Sequence, residues 1–163
     1  SVTQIRPATP GDIPALLALW NPIIRDTTVT FSSEEKTVET LGTMIAERRA
    51  AGREFFVADT DGLTGFATYS QFRGGNGYVH AMEHTILLAP GAWGKGIGRA
   101  LMARLEDHAR QGGAHLLVAG VSGENTAGIA FHDRIGFVPA GRIPQAGRKF
   151  DRWLDLILMT KFL

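Results

Sequence analysis

The residues best suited to chemistry lie past mid-chain, in Trp93-Gly94-Lys95-Gly96-Ile97-Gly98-Arg99. Glycines at alternating positions let a backbone turn tightly and approach a ligand with no Cβ in the way. Behind them Ile97, Leu101, Leu105 and Ala109 fall four apart, which predicts a helix. Its first turn offers unpaired N–H groups and the positive end of a dipole. Lys95 and Arg99 add charge, so Gly94 to Arg99 form an anion site suited to a pyrophosphate. A Walker loop would end in Gly-Lys-Ser/Thr, but Gly98 is followed by Arg99. A dinucleotide loop would place its third glycine later and follow an early strand. The same glycines also suit a plain turn and helix start, and spacing alone leaves that reading open. The five histidines show no paired ligand spacing and cysteine is absent, so neither a metal site nor thiol chemistry is expected.

Elements that would position this loop follow from pattern. The 163 residues, 44% of them apolar, suit one α/β domain with a real core. Val2 to Arg6 reads as a strand. Thr9, Pro10 and Asp12 then signal a helix start, with Ile13, Leu16, Leu17, Trp20 and Ile24 on one face. A second helix carries Val38, Leu41, Met44 and Ile45 and stops at Gly52. Phe55 to Ala58 and Leu63 to Phe72 read as a hairpin around Asp61–Gly62, and Tyr78 to Leu88 as a further extended run. Leu116 to Val121 is a continuously apolar strand of the kind found inside a sheet. Asn125 is placed to cap a helix whose inner face would hold Ala127, Ala130, Phe131 and Ile135. Strands at Phe137 to Ile143 and Trp153 to Phe162 close the chain. With 17 basic and 16 acidic residues there is no electrostatic footprint for nucleic acid or an anionic membrane. No apolar stretch reaches membrane-spanning length and Ser1 to Pro10 lacks signal-peptide character, so a soluble cytoplasmic protein is expected.

Taken together, these residues resemble the GCN5-related N-acetyltransferase (GNAT) superfamily. Gly96-Ile97-Gly98 matches its pyrophosphate loop, although Trp93 stands where that loop has Gln or Arg. Asn125 falls at the position that contacts the pantetheine arm, and Ile135-Gly136-Phe137 matches the end of the following helix. More narrowly, the chain is similar from about Ile5 onward to the phosphinothricin and methionine sulfoximine N-acetyltransferases. The matching stretches are Ile5 to Thr9, Trp20-Asn21-Pro22, Phe72-Arg73, Met82-Glu83-His84 and Gly147 to Asp155. Asp151, where glycine is usual, and Gly128, where serine is common, depart from the pattern.

The resemblance implies a mixed central sheet flanked by helices, acetyl-coenzyme A as cosubstrate, no metal, and a homodimer. It also implies roles. An amine attacks a thioester only as the free base, so a proton acceptor is needed, and Glu83 holds the matching position. A strand glutamate is equally an ordinary surface carboxylate. His84 would point to the opposite face from Glu83 unless the strand bulges, as the superfamily's strand does there. Backbone N–H groups of Ile86, Leu87 and Leu88 would receive the thioester carbonyl. His132 takes the place where many members carry the tyrosine that serves the departing thiolate; a core histidine is the other reading. Arg73 is the candidate clamp for a substrate carboxylate. Phe31 and Glu34 would wall the pocket, while Lys149 and Trp153 would border it, with Trp153 also a candidate for plain core.

Three functions remain on this reading. They are N-acetylation of a small amino acid or its analogue, acetylation of another amine such as a polyamine, antibiotic or protein terminus, and non-catalytic sensing of acetyl-coenzyme A. A substrate without a carboxylate would make no use of Arg73.

Overall fold

In the computed structural model, which describes residues 1–163, the strand-rich middle of the chain is arranged around the hairpin of Phe55–Asp59 (β2) and Leu63–Gln71 (β3). Asp61 and Gly62 turn it with positive φ angles of 54° and 123°. All four residues Phe55 to Ala58 are buried, because helices cover both faces of the sheet. On one face Phe55, Val57, Phe66 and Leu87 meet helices Ile13–Asp26 (α1) and Val38–Ala50 (α2) through Leu16, Trp20, Ile24, Leu41 and Ile45. On the other, Phe56, Ala67 and Tyr69 meet helix Ile97–Gln111 (α3) through Leu101, Met102, Leu105 and Ala109. Each such large side chain, fully buried, contributes about 1.5–3 kcal/mol.

Seven strands form one sheet. With Gln4–Pro7 (β1), Ala81–Leu88 (β4), Leu116–Ser122 (β5), Val138–Lys149 (β6) and Arg152–Phe162 (β7), the order is β1-β2-β3-β4-β5-β7-β6. Only β4 and β5 are parallel, joined by the α3 crossover. Their pairing is short: Ala81↔Leu116 through His84↔Ala119. Beyond it β4 stays with β3 and β5 with β7, so the sheet opens between Thr85–Leu88 and Gly120–Ser122. Alternate backbone groups on both sides of the opening are thereby released from the ladder. Helix Thr126–Arg134 (α4) follows β5 directly.

Several expectations are corrected. The strand expected from Tyr78 begins at Ala81, after a turn of 3₁₀ helix at Asn76–Tyr78. The β3–β4 ladder runs from Gly65↔Leu88 to Gln71↔Met82 with no register shift, so the bulge that would bring Glu83 and His84 to one face is absent from that ladder. On α2, Val38 is exposed, since it opens the helix and lies beyond the covered sheet. On α4 the fully buried residues are Gly128 and His132, with Ile135 just past the helix; Phe131 is half-buried against the core, and of the expected inner face only Ala127 is exposed. The Asn125 side chain accepts from the Gly128 N–H at 2.9 Å, which fixes the helix's rotation and turns Phe131 toward α3. The strand expected to stop at Ile143 continues to Lys149, through register shifts at Pro139/Gly141 and Ile143/Gly147. Pro144 is tolerated there because β6 is an edge strand and the ladder is already broken.

Candidate active site

The opening between β4 and β5 holds a cavity of about 250 Å³, lined by Thr85, Ile86 and Leu87 on one strand and Gly120, Val121 and Ser122 on the other. Trp20, Thr30 and Phe31 close it from the α1 side, Asn125 and His132 from the α4 side. Strand alternation divides its chemistry by face. Glu83, like Leu87, belongs to the α1/α2 face, and His84 to the α3/α4 face. One of the Glu83 carboxylate oxygens lies against Gly120, only 3.0 Å from where a Cβ would be, so a residue without a side chain gives the carboxylate its room. Glu83 is half-buried, and loss of solvent raises its carboxyl pKa above the usual value.

Across the sheet His84 and His132 form a buried pair, Nε2 to Nε2 at 2.9 Å. Nδ1–H of His132 donates to the Gly128 carbonyl at 2.8 Å, one helical turn back. Its Nε2 is therefore an acceptor in the neutral ring, and the N–H between the rings belongs to His84. Nδ1 of His84 is buried without a hydrogen bond. Burial holds both rings below the ordinary imidazole pKa, and the neighbouring His132 lowers His84 further. Both are neutral at pH 7.

Next to the cavity, on the α3/α4 face, a groove of about 330 Å³ is lined by Leu88, Gly94, Gly96, Ile97, Gly98 and Arg99, with Trp93, Phe131 and Arg134 opposite. Gly96 caps α3 with φ 80° and Gly94 has φ 78°, values that exclude most side chains. Free N–H groups of the first α3 turn thus face an open groove with two arginines beside it. Lys95 instead borders a separate hollow with Ser1, Thr3 and Thr64.

Glu83 itself is not part of the cavity wall and reaches it only at Gly120, and four other candidates stand farther from it. Arg73 is exposed on the β3–β4 loop, its guanidinium 5.6 Å from the Tyr78 ring centre. Glu34 is exposed in the α1–α2 loop. Trp153 is 57% exposed and stacks under Arg148, which excludes the plain-core reading. Lys149 is 5% exposed, and its ammonium donates to Ile24 and Thr30 carbonyls at 2.6 and 2.8 Å. Sequence reasoning passed over Trp20, Thr30, Ser122, Phe131 and Arg134 as site residues. Phe131 carried a signal only as apolar periodicity, which core packing explains equally well, while Trp20 also stood in the matching stretch Trp20-Asn21-Pro22.

A parted strand pair, ending beside a glycine-capped helix N-terminus, receives a long ligand with an anionic middle and a reactive tip. That is the class of site that carrier-dependent transferases need. Residues 5–158 match the model of the acetyltransferase (GNAT) domain, and the chain belongs to that family. It is 35% identical over 157 residues to the L-amino acid N-acyltransferase MnaT of Escherichia coli, covering 96% of this chain and 91% of that one. It is also 35% identical over 158 residues to the L-methionine sulfoximine/L-methionine sulfone acetyltransferase of Salmonella typhimurium, covering 95% and 91%. Among solved structures, the phosphinothricin acetyltransferase of Sinorhizobium meliloti in complex with acetyl-coenzyme A superposes with a TM-score of 0.93. That match covers 100% of this chain and 89% of that one at 27% identity. The chain is an acetyl-coenzyme A–dependent N-acetyltransferase by family.

Proposed function

We propose that the protein acetylates the amino group of a small amino acid or a close analogue such as methionine sulfoximine, methionine sulfone or phosphinothricin. The observation that carries this reading is what flanks the opening: the half-buried Glu83 carboxylate against Gly120 at its rim on one face, and a neutral histidine pair with an anion groove on the other. The residues fit acetyl-coenzyme A. N–H groups of Ile97 to Arg99, with Arg99 and Arg134, would hold its pyrophosphate, and Asn125 would flank its pantetheine arm. Backbone N–H groups among Ile86, Leu87 and Leu88 would receive the acetyl oxygen. The coenzyme supplies an activated acyl carbon with a thiolate leaving group.

Glu83 takes a proton from the incoming ammonium, and the burial that raises its pKa makes it a better proton acceptor than an exposed carboxylate. The freed nitrogen attacks the acyl carbon and the C–N bond forms; the C–S bond breaks with its electron pair leaving on sulfur, and the proton that the nitrogen sheds on becoming an amide ends on that sulfur as the thiol. Backbone donors released from the sheet stabilise the intermediate oxyanion without reorganisation. His84, whose N–H is spent on a neutral acceptor at rest, turns that N–H toward the thiolate, because a hydrogen bond to an anion is about twice as strong as one between neutral groups. His132, to which the resemblance gives the thiolate role, has both ring nitrogens engaged and orients His84 instead. Arg73 is the proposed carboxylate clamp. Its exposed position on a loop outside the cavity favours, as a second reading, an amine with no carboxylate. We further infer a cytoplasmic homodimer, supported by exposed Val138, Ile143, Phe150 and Trp153 along the β6–β7 hairpin.

Acetyl-coenzyme A–dependent thiol release tests this, run on methionine sulfoximine, phosphinothricin, common amino acids and spermidine with Glu83→Gln, His84→Ala, His132→Ala and the double histidine variant. Glu83→Gln should lower kcat about 10²–10⁴-fold. The two histidine changes should be non-additive, each alone costing nearly what both cost. Release with spermidine only would remove the amino-acid reading; release with none would return the protein to coenzyme sensing.

A further inference from the structure

Beyond Trp20 of α1, the α1–β6 side of the cavity is not built from regular structure. Residues 27–37 cross from α1 to α2 without a helix or strand, yet Thr30 and Phe31 in this strap form cavity wall. What fixes an irregular segment must come from its anchors.

Three anchors are visible. Asn21 on α1 bonds both backbone groups of Lys36, with Lys36 N–H donating to Oδ1 at 2.8 Å and Nδ2–H donating to the Lys36 carbonyl at 3.0 Å. Thr28 donates to Glu124, which Arg152 holds in turn. The third comes from the end of β6. Lys149 reaches under the strap and ties the Ile24 carbonyl, in the last turn of α1, to that of Thr30. Two positions earlier, Gly147 lies flat against the Phe31 ring, where any Cβ would collide with it. A charged ammonium 5% exposed is costly to bury, and here both its hydrogen bonds go to backbone carbonyls rather than toward the cavity. Desolvation lowers its pKa accordingly.

Building on the N-acetyltransferase reading above, we propose that Lys149 is a positioning residue, not a ligand for the substrate. With Gly147 it fastens the strap, so that Val29, Thr30 and Phe31 form a wall of fixed depth for the amino acid's side chain. The size of side chain accepted is set at the Phe31–Gly147 contact.

The test compares Lys149→Met with the unmodified enzyme on two substrates, phosphinothricin with its second anionic group and methionine sulfone with a neutral side chain. We expect kcat/KM to fall about tenfold or more and by the same factor for both, through the amine KM and with the acetyl-coenzyme A KM unchanged. Amide hydrogen exchange should quicken in peptides covering 27–36 and stay unchanged across α3. A loss confined to phosphinothricin would make Lys149 a substrate ligand and overturn the proposal, as would unchanged exchange in the strap. Gly147→Ala gives an independent arm, because Gly147 has no positive φ and the substitution strains no backbone. It pushes Phe31 inward, so large side chains should lose more kcat/KM than alanine; an equal loss would count against the wall. If the wild-type enzyme acetylates no amino acid, the function reading fails, while exchange in Lys149→Met still decides the clamp.

Discussion

At the scale of single residues, the site rests on groups kept in unfavourable states. Glu83 is half-buried with no cationic partner, and burial favours its protonated form. Its folded pKa lies above the unfolded value, so the native state binds the proton more tightly. The stability it adds is present at low pH and is lost as pH rises through the folded pKa. Glu83→Gln should therefore unfold at higher denaturant concentration than wild type at pH 7 and show a smaller difference at pH 4. Its kcat/KM profile should also lose the acid limb that wild type shows above the ordinary carboxylate range. A mutant less stable than wild type at pH 7 would mean the carboxylate makes a favourable contact in the folded protein. The His84–His132 pair follows the same logic: burial keeps both rings neutral, so the pair offers an N–H rather than a charge.

At the scale of elements, local chemistry decides where each one starts, and the ends matter most. Asp12 closes the turn before α1. Its carboxylate accepts from Thr9 N–H at 2.7 Å and pairs with both terminal nitrogens of Arg6 at 2.8 and 2.9 Å. The Arg6 hydrogen bond, with smaller help from Thr9, lowers its pKa to about 2 against the usual 3.8. The sign is opposite to that of Glu83. This stability is present above about pH 4 and disappears as pH falls toward 2, amounting to about 2 kcal/mol. Asp12→Asn should lower stability by about that much at pH 7 and flatten the wild-type loss between pH 4 and 2, measured by urea unfolding. At the β6–β7 turn, Phe150 and Asp151 both take positive φ, 51° and 59°, where glycine is usual. That tight turn keeps Gly147 and Lys149 aligned with the strap they hold.

At the scale of the whole molecule, one sheet covered on both faces creates two cores, and the opening between β4 and β5 is the one place where both faces meet. No helix is long and apolar enough to cross a membrane. Because the coenzyme would occupy the opening and the groove only in the folded protein, it should stabilise the fold. Acetyl-coenzyme A at a hundred times its Kd should add about 2.7 kcal/mol, read as a higher melting temperature. An unchanged melting temperature at saturating coenzyme would remove the groove as its site.

Much of this was legible in the chain itself. The helices, the hairpin, the apolar β5, the glycine-led start of α3 and the Asn125 cap are local matters, governed by periodicity and by turn and cap chemistry acting over a few residues. Resemblance over nearly the full length brought in the family and, with it, the proposed roles of Glu83 and His132. Tertiary structure decided the rest, because each outcome depended on groups far apart in sequence. Only folding brings His84 to His132 and Glu83 to Gly120, and only the packing of β6 under the strap turns Lys149 from the pocket toward backbone carbonyls. Spacing shows which face a residue takes within its own element. It carries no information on which neighbour waits there, and that neighbour sets each group's charge and role.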